Sequence, residues 1–261
     1  ARTTNRYQQP GSPELTNALC NYLNLPADNI FVSAGSTPIL QATILACCQT
    51  GDEVIVPWRS FEAYPLYVRM AGATPVLTPL TEDYRVDLDA VLAALTDKTK
   101  LIILCNPNNP TGTALDLATI EAVYAAQAQN DAAGGPGAMV VVDEAYAEFA
   151  LAGTRSALTL LPGRERLIVT RTMSKAFALA GARLGYLAAD PAVADALRLV
   201  RLPYHLSAVT QATAEAALDH VDALLRTVED IKAQRDRIVS TLRGLGLRPS
   251  VSDSNFVFFG H

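Results

Sequence analysis

Four short apolar runs constrain this chain more than any other feature: Asp52 to Val56, Leu101 to Leu104, Ala138 to Val142 and Leu167 to Val169. Rich in Val, Ile and Leu and bounded by turn residues, they read as strands buried on both faces. Between them lie segments of helical length, one running to about Gln49, one over Val86 to Leu95 and one over Leu115 to Gln129. This alternation predicts an α/β fold, a mostly parallel sheet with helices on both faces. Further strands are expected at Asn29 to Val32, Ala73 to Leu77 and Leu184 to Ala188. A first helix should open with Ser12 as its cap and Pro13 in its first position, and another should run from Asp190-Pro191 to about Val200. In such sheets, ligand groups collect beyond the C-terminal ends of the strands.

Composition narrows the function classes. With 261 residues the chain has room for one large domain or one and a half, and half of its residues are apolar. No apolar run reaches the ~18 residues of a membrane span, so no membrane partner is expected. A formal charge of −5 without a basic stripe argues against nucleic acid. Cys20, Cys47, Cys48 and Cys105 lack metal-ligand spacing, and there are only three histidines. They read as reduced thiols of a cytoplasmic protein, with no metal site. The first residue is Ala1 and no signal-like start follows, so the chain is expected to be a fragment.

The strand exits carry the chemistry. After Val32 comes Ser33-Ala34-Gly35-Ser36-Thr37-Pro38, a strand, glycine turn and helix start whose free N–H groups and positive dipole can hold a phosphate, although turn geometry alone also explains it. After Val56, the run Pro57-Trp58-Arg59-Ser60-Phe61-Glu62-Ala63-Tyr64 offers an aromatic that either stacks on a flat ring or packs on the core. Cys105-Asn106-Pro107-Asn108-Asn109-Pro110-Thr111-Gly112 is a fixed loop whose amides can donate to an oxygen or simply shape a turn. Asp143, in Asp143-Glu144-Ala145-Tyr146, follows so apolar a strand that its burial calls for a cationic partner, for which a protonated pyridine nitrogen would serve. Past Val169, the hydroxyls of Thr172 and Ser174 and the guanidinium of Arg183 suit a phosphate's oxygens. That leaves Lys175 for chemistry. A lysine amine held among apolar groups beside a cation can form an imine with an aldehyde such as pyridoxal phosphate. Read alone, this stretch is as compatible with a solvated surface lysine.

Together, Asn109-Pro110-Thr111-Gly112, Asp143-x-x-Tyr146, Thr172-x-Ser174-Lys175 and Arg183 resemble the fold-type I pyridoxal phosphate (PLP)-dependent aminotransferases, and in detail their histidinol-phosphate aminotransferase branch. Asn5-Arg6-Tyr7, Trp58 to Tyr64 and Arg201-Leu202-Pro203-Tyr204-His205-Leu206-Ser207 extend the likeness over essentially the whole chain. The resemblance implies a cofactor lysine at Lys175, a pyridine-nitrogen partner at Asp143, and donors to the ring's phenolic oxygen at Asn109 and Tyr146. It further implies a phosphate site of Ser36, Thr37, Thr172, Ser174 and Arg183 with the N–H groups after Gly35, and a stacking ring at Phe61. Tyr7 would reach the phosphate of a neighbouring subunit, in a homodimer with shared active sites.

The implied substrates are a small-molecule amino donor and a 2-oxo acid acceptor, with L-histidinol phosphate and 2-oxoglutarate giving imidazole-acetol phosphate and glutamate. Transamination of aromatic amino acids, phenylalanine especially, is the alternative. Decarboxylation of a phosphorylated amino acid and a catalytically silent PLP-binding fragment are two others. Residues 1–204 read as the PLP-binding large domain. Residues 205–261 read as part of a smaller α+β domain, with long helices over Val209 to His220 and Asp222 to Leu242 and a strand pair over Leu247 to Val251 and Asn255 to Phe259. Two positions depart from the family pattern: Gln8-Gln9 follow Tyr7 where Pro-Asp is usual, and Pro38 stands where an acid is common. The arginine that clamps the substrate carboxylate in the family has no counterpart by motif position.

Overall fold

The computed structural model describes residues 5–132 and 137–260. Among them, seven strands form one sheet in the order β1-β7-β6-β5-β4-β2-β3. They are β1 (Ile30–Ser33), β2 (Glu53–Pro57), β3 (Thr74–Thr78), β4 (Thr99–Cys105), β5 (Met139–Asp143), β6 (Leu167–Thr172) and β7 (Gly185–Ala189). Strands β2 to β6 pair in parallel, whereas β7 runs antiparallel to both of its neighbours, β1 and β6. The C-terminal ends of β1, β2, β4, β5 and β6 therefore share one edge of the sheet with the N-terminal end of β7.

Successive residues of a strand point to opposite faces, and here both faces are covered. Val54, Val56, Ile103, Val141 and Ile168 meet Ile39, Leu40 and Ile44 of α2 (Ser36–Cys47), Tyr64 and Val68 of α3 (Ala63–Met70) and Leu197 of α6 (Pro191–Val200). On the other face Ile55, Ile102, Leu104, Val140, Val142 and Val169 meet Val91 of α4 (Leu88–Ala93) and Ile120 and Val123 of α5 (Leu117–Ala132). Helices as short as α3 and α4 do not stand alone in water, so this burial holds them.

A third apolar cluster joins Leu15 and Leu19 of α1 (Pro13–Leu23) to Val32, Phe177 and Tyr186, to Ala214 of α7 (Ala208–Asp219) and to Val228 of α8 (Val221–Gly244). The segment after Tyr204 is thus packed against the sheet's β1 edge. Polar contacts also tie it in: Arg235 Nη1 donates to the carbonyls of Phe149 and Ser254, and Asp253 Oδ1 accepts from Leu151 N at 2.7 Å.

Several boundaries differ from those read in the sequence. Ser12 precedes α1 with φ +50° and makes no side-chain cap; its carbonyl instead accepts from Thr16 N. The helix expected over Val86 to Leu95 is α4, which starts only after Asp87, because that carboxylate accepts from Ala90 N at 3.0 Å and caps it. Helix α5 continues to Ala132, so the loop expected over Asn130 to Gly137 starts later, and residues 133–136 lie outside the described part. The strand pair near the end shrinks to β8 (Arg248–Pro249) and β9 (Phe259–Gly260). Between them, Ser252 Oγ donates to Phe256 O and accepts from Ser254 N, and Asp253 N donates to Gly112 O. Such local bonds compete with a strand ladder.

Candidate active site

Five strand ends and the start of β7 enclose a cavity of about 230 Å³, which Ser36, Thr37, Phe61, Cys105, Asn109, Asp143, Tyr146, Thr172, Ser174, Lys175 and Arg183 all line. Residues more than a hundred positions apart in the chain meet there because a parallel sheet brings every strand exit to one edge.

Asp143 ends β5 and is buried. Tyr64 Oη donates to its Oδ2 at 2.7 Å and Thr170 Oγ1 donates to its Oδ1 at 3.0 Å. Burial pushes the carboxyl above its ordinary value while the two hydroxyls pull it back. Among the described residues Asp143 forms no ion pair, so hydroxyls and not a cation satisfy it here. Its neighbour Glu144 turns away from the cavity and accepts from Ser156 Oγ at 2.7 Å, Ala157 N at 2.6 Å and Arg171 Nε at 2.9 Å. Arg171 also donates to Glu148 at 2.9 Å, so it belongs to a buried ion cluster and not to the cavity.

Lys175 lies in the turn after β6 and is exposed, with Nζ 5.4 Å from the centre of the Tyr146 ring. The sequence suggested apolar enclosure; the amine instead stands on the open side of the cavity, free to move. Tyr146 is buried, edge-on to Phe256, and burial with Cys105 and Asp143 nearby pushes its phenol up to about 12. It is therefore a hydrogen-bond donor across the physiological range.

At the other end, Thr172 Oγ1 donates to Ser174 Oγ at 3.0 Å, and Arg183 Nη1 donates to Ser174 Oγ at 3.3 Å and to Ala180 O at 2.9 Å. Arg183 adopts a left-handed backbone (φ +56°), uncommon for a long side chain and found where surrounding structure enforces it. Opposite stands the start of α2, with Gly35 at its N-cap (φ +106°). A Cβ on Gly35 would come within 2.6 Å of Arg183 Nη2. A Cβ on Gly185 would come within 2.3 Å of Ser36 N and 2.4 Å of Gly35 C, which are backbone atoms that cannot swing aside. Gly185→Ala is therefore expected to displace the N-terminus of α2 and cost about 1–3 kcal/mol in urea unfolding. Gly181→Ala, with no atom within 4 Å of its Cβ, should stay within about 0.5 kcal/mol of the parent.

Tyr7 does not line this cavity. It is 82% exposed, and its ring stacks at 4.5 Å on Tyr204. Two residues at the centre of the site were not singled out in the sequence, Tyr64 and Thr170. Each left a signal. Tyr64 is one helical turn from Phe61 and so shares its side of the chain, and Thr170 is a hydroxyl directly following the apolar run Leu167-Ile168-Val169.

The model of the family described as aminotransferase class I and II matches residues 1–261. The chain belongs to this family. It is 52% identical over 259 residues to the histidinol-phosphate aminotransferase of Paenarthrobacter aurescens (strain TC1), covering 98% of this chain and 68% of that protein. It is 43% identical over 258 residues to the aromatic amino acid aminotransferase of Rhodococcus jostii (strain RHA1), covering 99% of this chain and 70% of that one. The chain thus spans about two thirds of the length of these relatives. Among solved structures, the histidinol-phosphate aminotransferase of Sinorhizobium meliloti in complex with pyridoxal-5'-phosphate superposes with a TM-score of 0.89 at 30% identity, over 98% of this chain and 68% of that one. The aminotransferase fold expected from the sequence, fold-type I with a mostly parallel sheet, is the fold found. Transfer of an amino group between an amino donor and a 2-oxo acid is the reaction of the family. No described helix is long and apolar enough to cross a membrane, and no described group of His, Cys, Asp and Glu could hold a metal ion.

Proposed function

We propose that the chain uses PLP to transfer the amino group of L-histidinol phosphate to 2-oxoglutarate, and that the cavity at the sheet edge is its cofactor site. The observation that carries this reading is the convergence of Lys175 and the buried Asp143 on one cavity opposite the Gly35–Ser36 helix start. The residues fit the cofactor. A buried carboxylate raised by desolvation gains from a cation beside it, as a protonated ring nitrogen would be. The approach at Gly35 and Gly185, which a Cβ would fill, leaves backbone N–H groups and the Arg183 guanidinium open to an anion.

Ser36, Thr37, Thr172, Ser174 and Arg183 would hold the phosphate. Phe61 would cover one ring face, and Asn109 and Tyr146 would donate to the phenolic oxygen. When bound, PLP supplies an electron sink for the charge that develops at the substrate's reacting carbon. Asp143 keeps a negative charge beside the ring nitrogen. Lys175 Nζ holds the cofactor's aldehyde carbon covalently and, once released by the incoming amine, carries a proton to and from the reacting carbon. Its exposure and freedom of movement support that shuttle.

The same reading makes residues 1–204 the cofactor-binding domain and 205–261 part of a smaller one, in a homodimer that places Tyr7 in the partner's site. The exposed Tyr7, Tyr204, Leu45 and Leu202 support that assembly. Four unpaired cysteines support a reducing, cytoplasmic setting. A second reading, transamination of aromatic amino acids, is favoured by the 43% identity to the Rhodococcus jostii protein.

Half-reactions separate the two. The PLP-loaded chain is mixed with histidinol phosphate or with phenylalanine, and pyridoxamine phosphate is measured. Turnover with histidinol phosphate is expected to exceed that with phenylalanine by tenfold or more. The opposite order would favour the aromatic reading, and no pyridoxamine phosphate with either would defeat both.

A further inference from the structure

Tyr64 enters the site from α3 and is fully buried, its ring fixed by the apolar cluster of α2 and α3 and edge-on to Phe61 at 5.4 Å. A phenol so placed could be satisfied by a carbonyl, yet it donates to Asp143 Oδ2 at 2.7 Å. Thr170 covers Oδ1 from β6. Each carboxylate oxygen has two lone-pair sites, so one donor apiece leaves capacity facing the cavity.

We propose that Tyr64 is a positioning residue for amino transfer: by donating its hydroxyl to Asp143 it keeps the carboxylate ionised, so that a proton shared with the cofactor's ring nitrogen stays on the nitrogen. The proposal rests on the reading that this nitrogen faces Asp143. A buried carboxyl deprived of donors is better off neutral. Without the Tyr64 hydroxyl the shared proton moves: the N–H bond breaks, an O–H bond forms on Asp143, and a charged pair becomes a neutral one. The ring then loses the positive charge that makes it an electron sink. The other groups around the carboxylate do not replace the donor. Glu144 is a like charge held by Arg171, and the Cys105 thiol, itself pushed up to about 12 by burial, is a weak donor. Burial and the neighbouring Asp143 also push the Tyr64 phenol well above its ordinary value, so it remains a donor at any working pH.

The test uses Tyr64→Phe, which removes one oxygen and preserves the packing. Wild type, Tyr64→Phe and Asp143→Asn are loaded with PLP labelled with 15N in the ring. The wild-type resonance is expected at the protonated position at neutral pH, and that of Tyr64→Phe displaced towards the neutral pyridine position reached by Asp143→Asn. A hydrogen bond to a charged group implies a fall in kcat of about 10- to 100-fold with KM little changed. Should Tyr64→Phe hold the cofactor poorly, infrared spectra of the cofactor-free chain decide instead. A protonated carboxyl band should appear at neutral pH in Tyr64→Phe, be weaker in wild type and vanish in Tyr64→Phe/Asp143→Asn. A Tyr64→Phe protein with a wild-type 15N position, or with no new carboxyl band, overturns the proposal while leaving Asp143 in its role. A wild type whose ring nitrogen is already neutral overturns the role of Asp143 itself.

Discussion

A Lys175→Ala chain is expected to keep PLP but to lose both the borohydride-fixed pyridoxyl label and transamination, with turnover falling by about 10⁴-fold. Retention follows from the divided construction of the site. Arg183, Ser174, Thr172 and the start of α2 form one end, and the amine 5.4 Å from Tyr146 stands at the other. Deleting an exposed amine removes no buried contact, so the urea midpoint of the cofactor-free chain should not move. Peptide mapping after borohydride reduction checks the assignment directly. A label on a residue other than Lys175 in the parent chain would overturn it.

Asp143→Asn tests the opposite side of the ring. The covalent link to Lys175 should survive, while turnover should fall by about 10²–10³-fold, the scale of removing one partner of a buried charged pair. Stability should move the other way. Because burial raises the Asp143 carboxyl in the folded chain, the folded state binds more protons than the unfolded one between the unfolded value, about 3.9, and the raised folded value. The group therefore costs no stability below the unfolded value and costs most above the folded one. The asparagine variant, without cofactor, should have a higher urea midpoint than the parent at neutral pH, and the difference should close as the pH falls towards 4. A variant that transaminates normally would remove Asp143 from the electron-sink role. One that is destabilised at neutral pH would mean that lost hydrogen bonds outweigh desolvation.

The sheet was legible because its strands are buried on both faces. Leu101 to Leu104 and Ala138 to Val142 admit no polar residue, and such runs have few folds open to them. The ends of elements were less legible, because they depend on individual side chains. Asp87 delays α4 by capping it, and Ser252 and Ser254 bond to their own backbone and shorten the last strand pair. Motifs at strand exits named Lys175, Asp143, Asn109, Tyr146 and Arg183 because those functional groups are chemically conspicuous next to apolar strands.

What the chain's own residues determined, then, is the alternation of strand and helix and the identity of the reactive groups, since both are local: burial of β-branched runs, and an acid or amine where a strand ends. Tertiary structure alone decided that Tyr64, nearly eighty residues from Asp143, is its hydrogen-bond partner, that Arg171 serves a buried ion cluster while Arg183 serves the cavity, and that Lys175 stands free. Those facts depend on which side of the sheet edge each side chain meets, and the order of strands in space is set by packing across the whole molecule, not by neighbours along the chain.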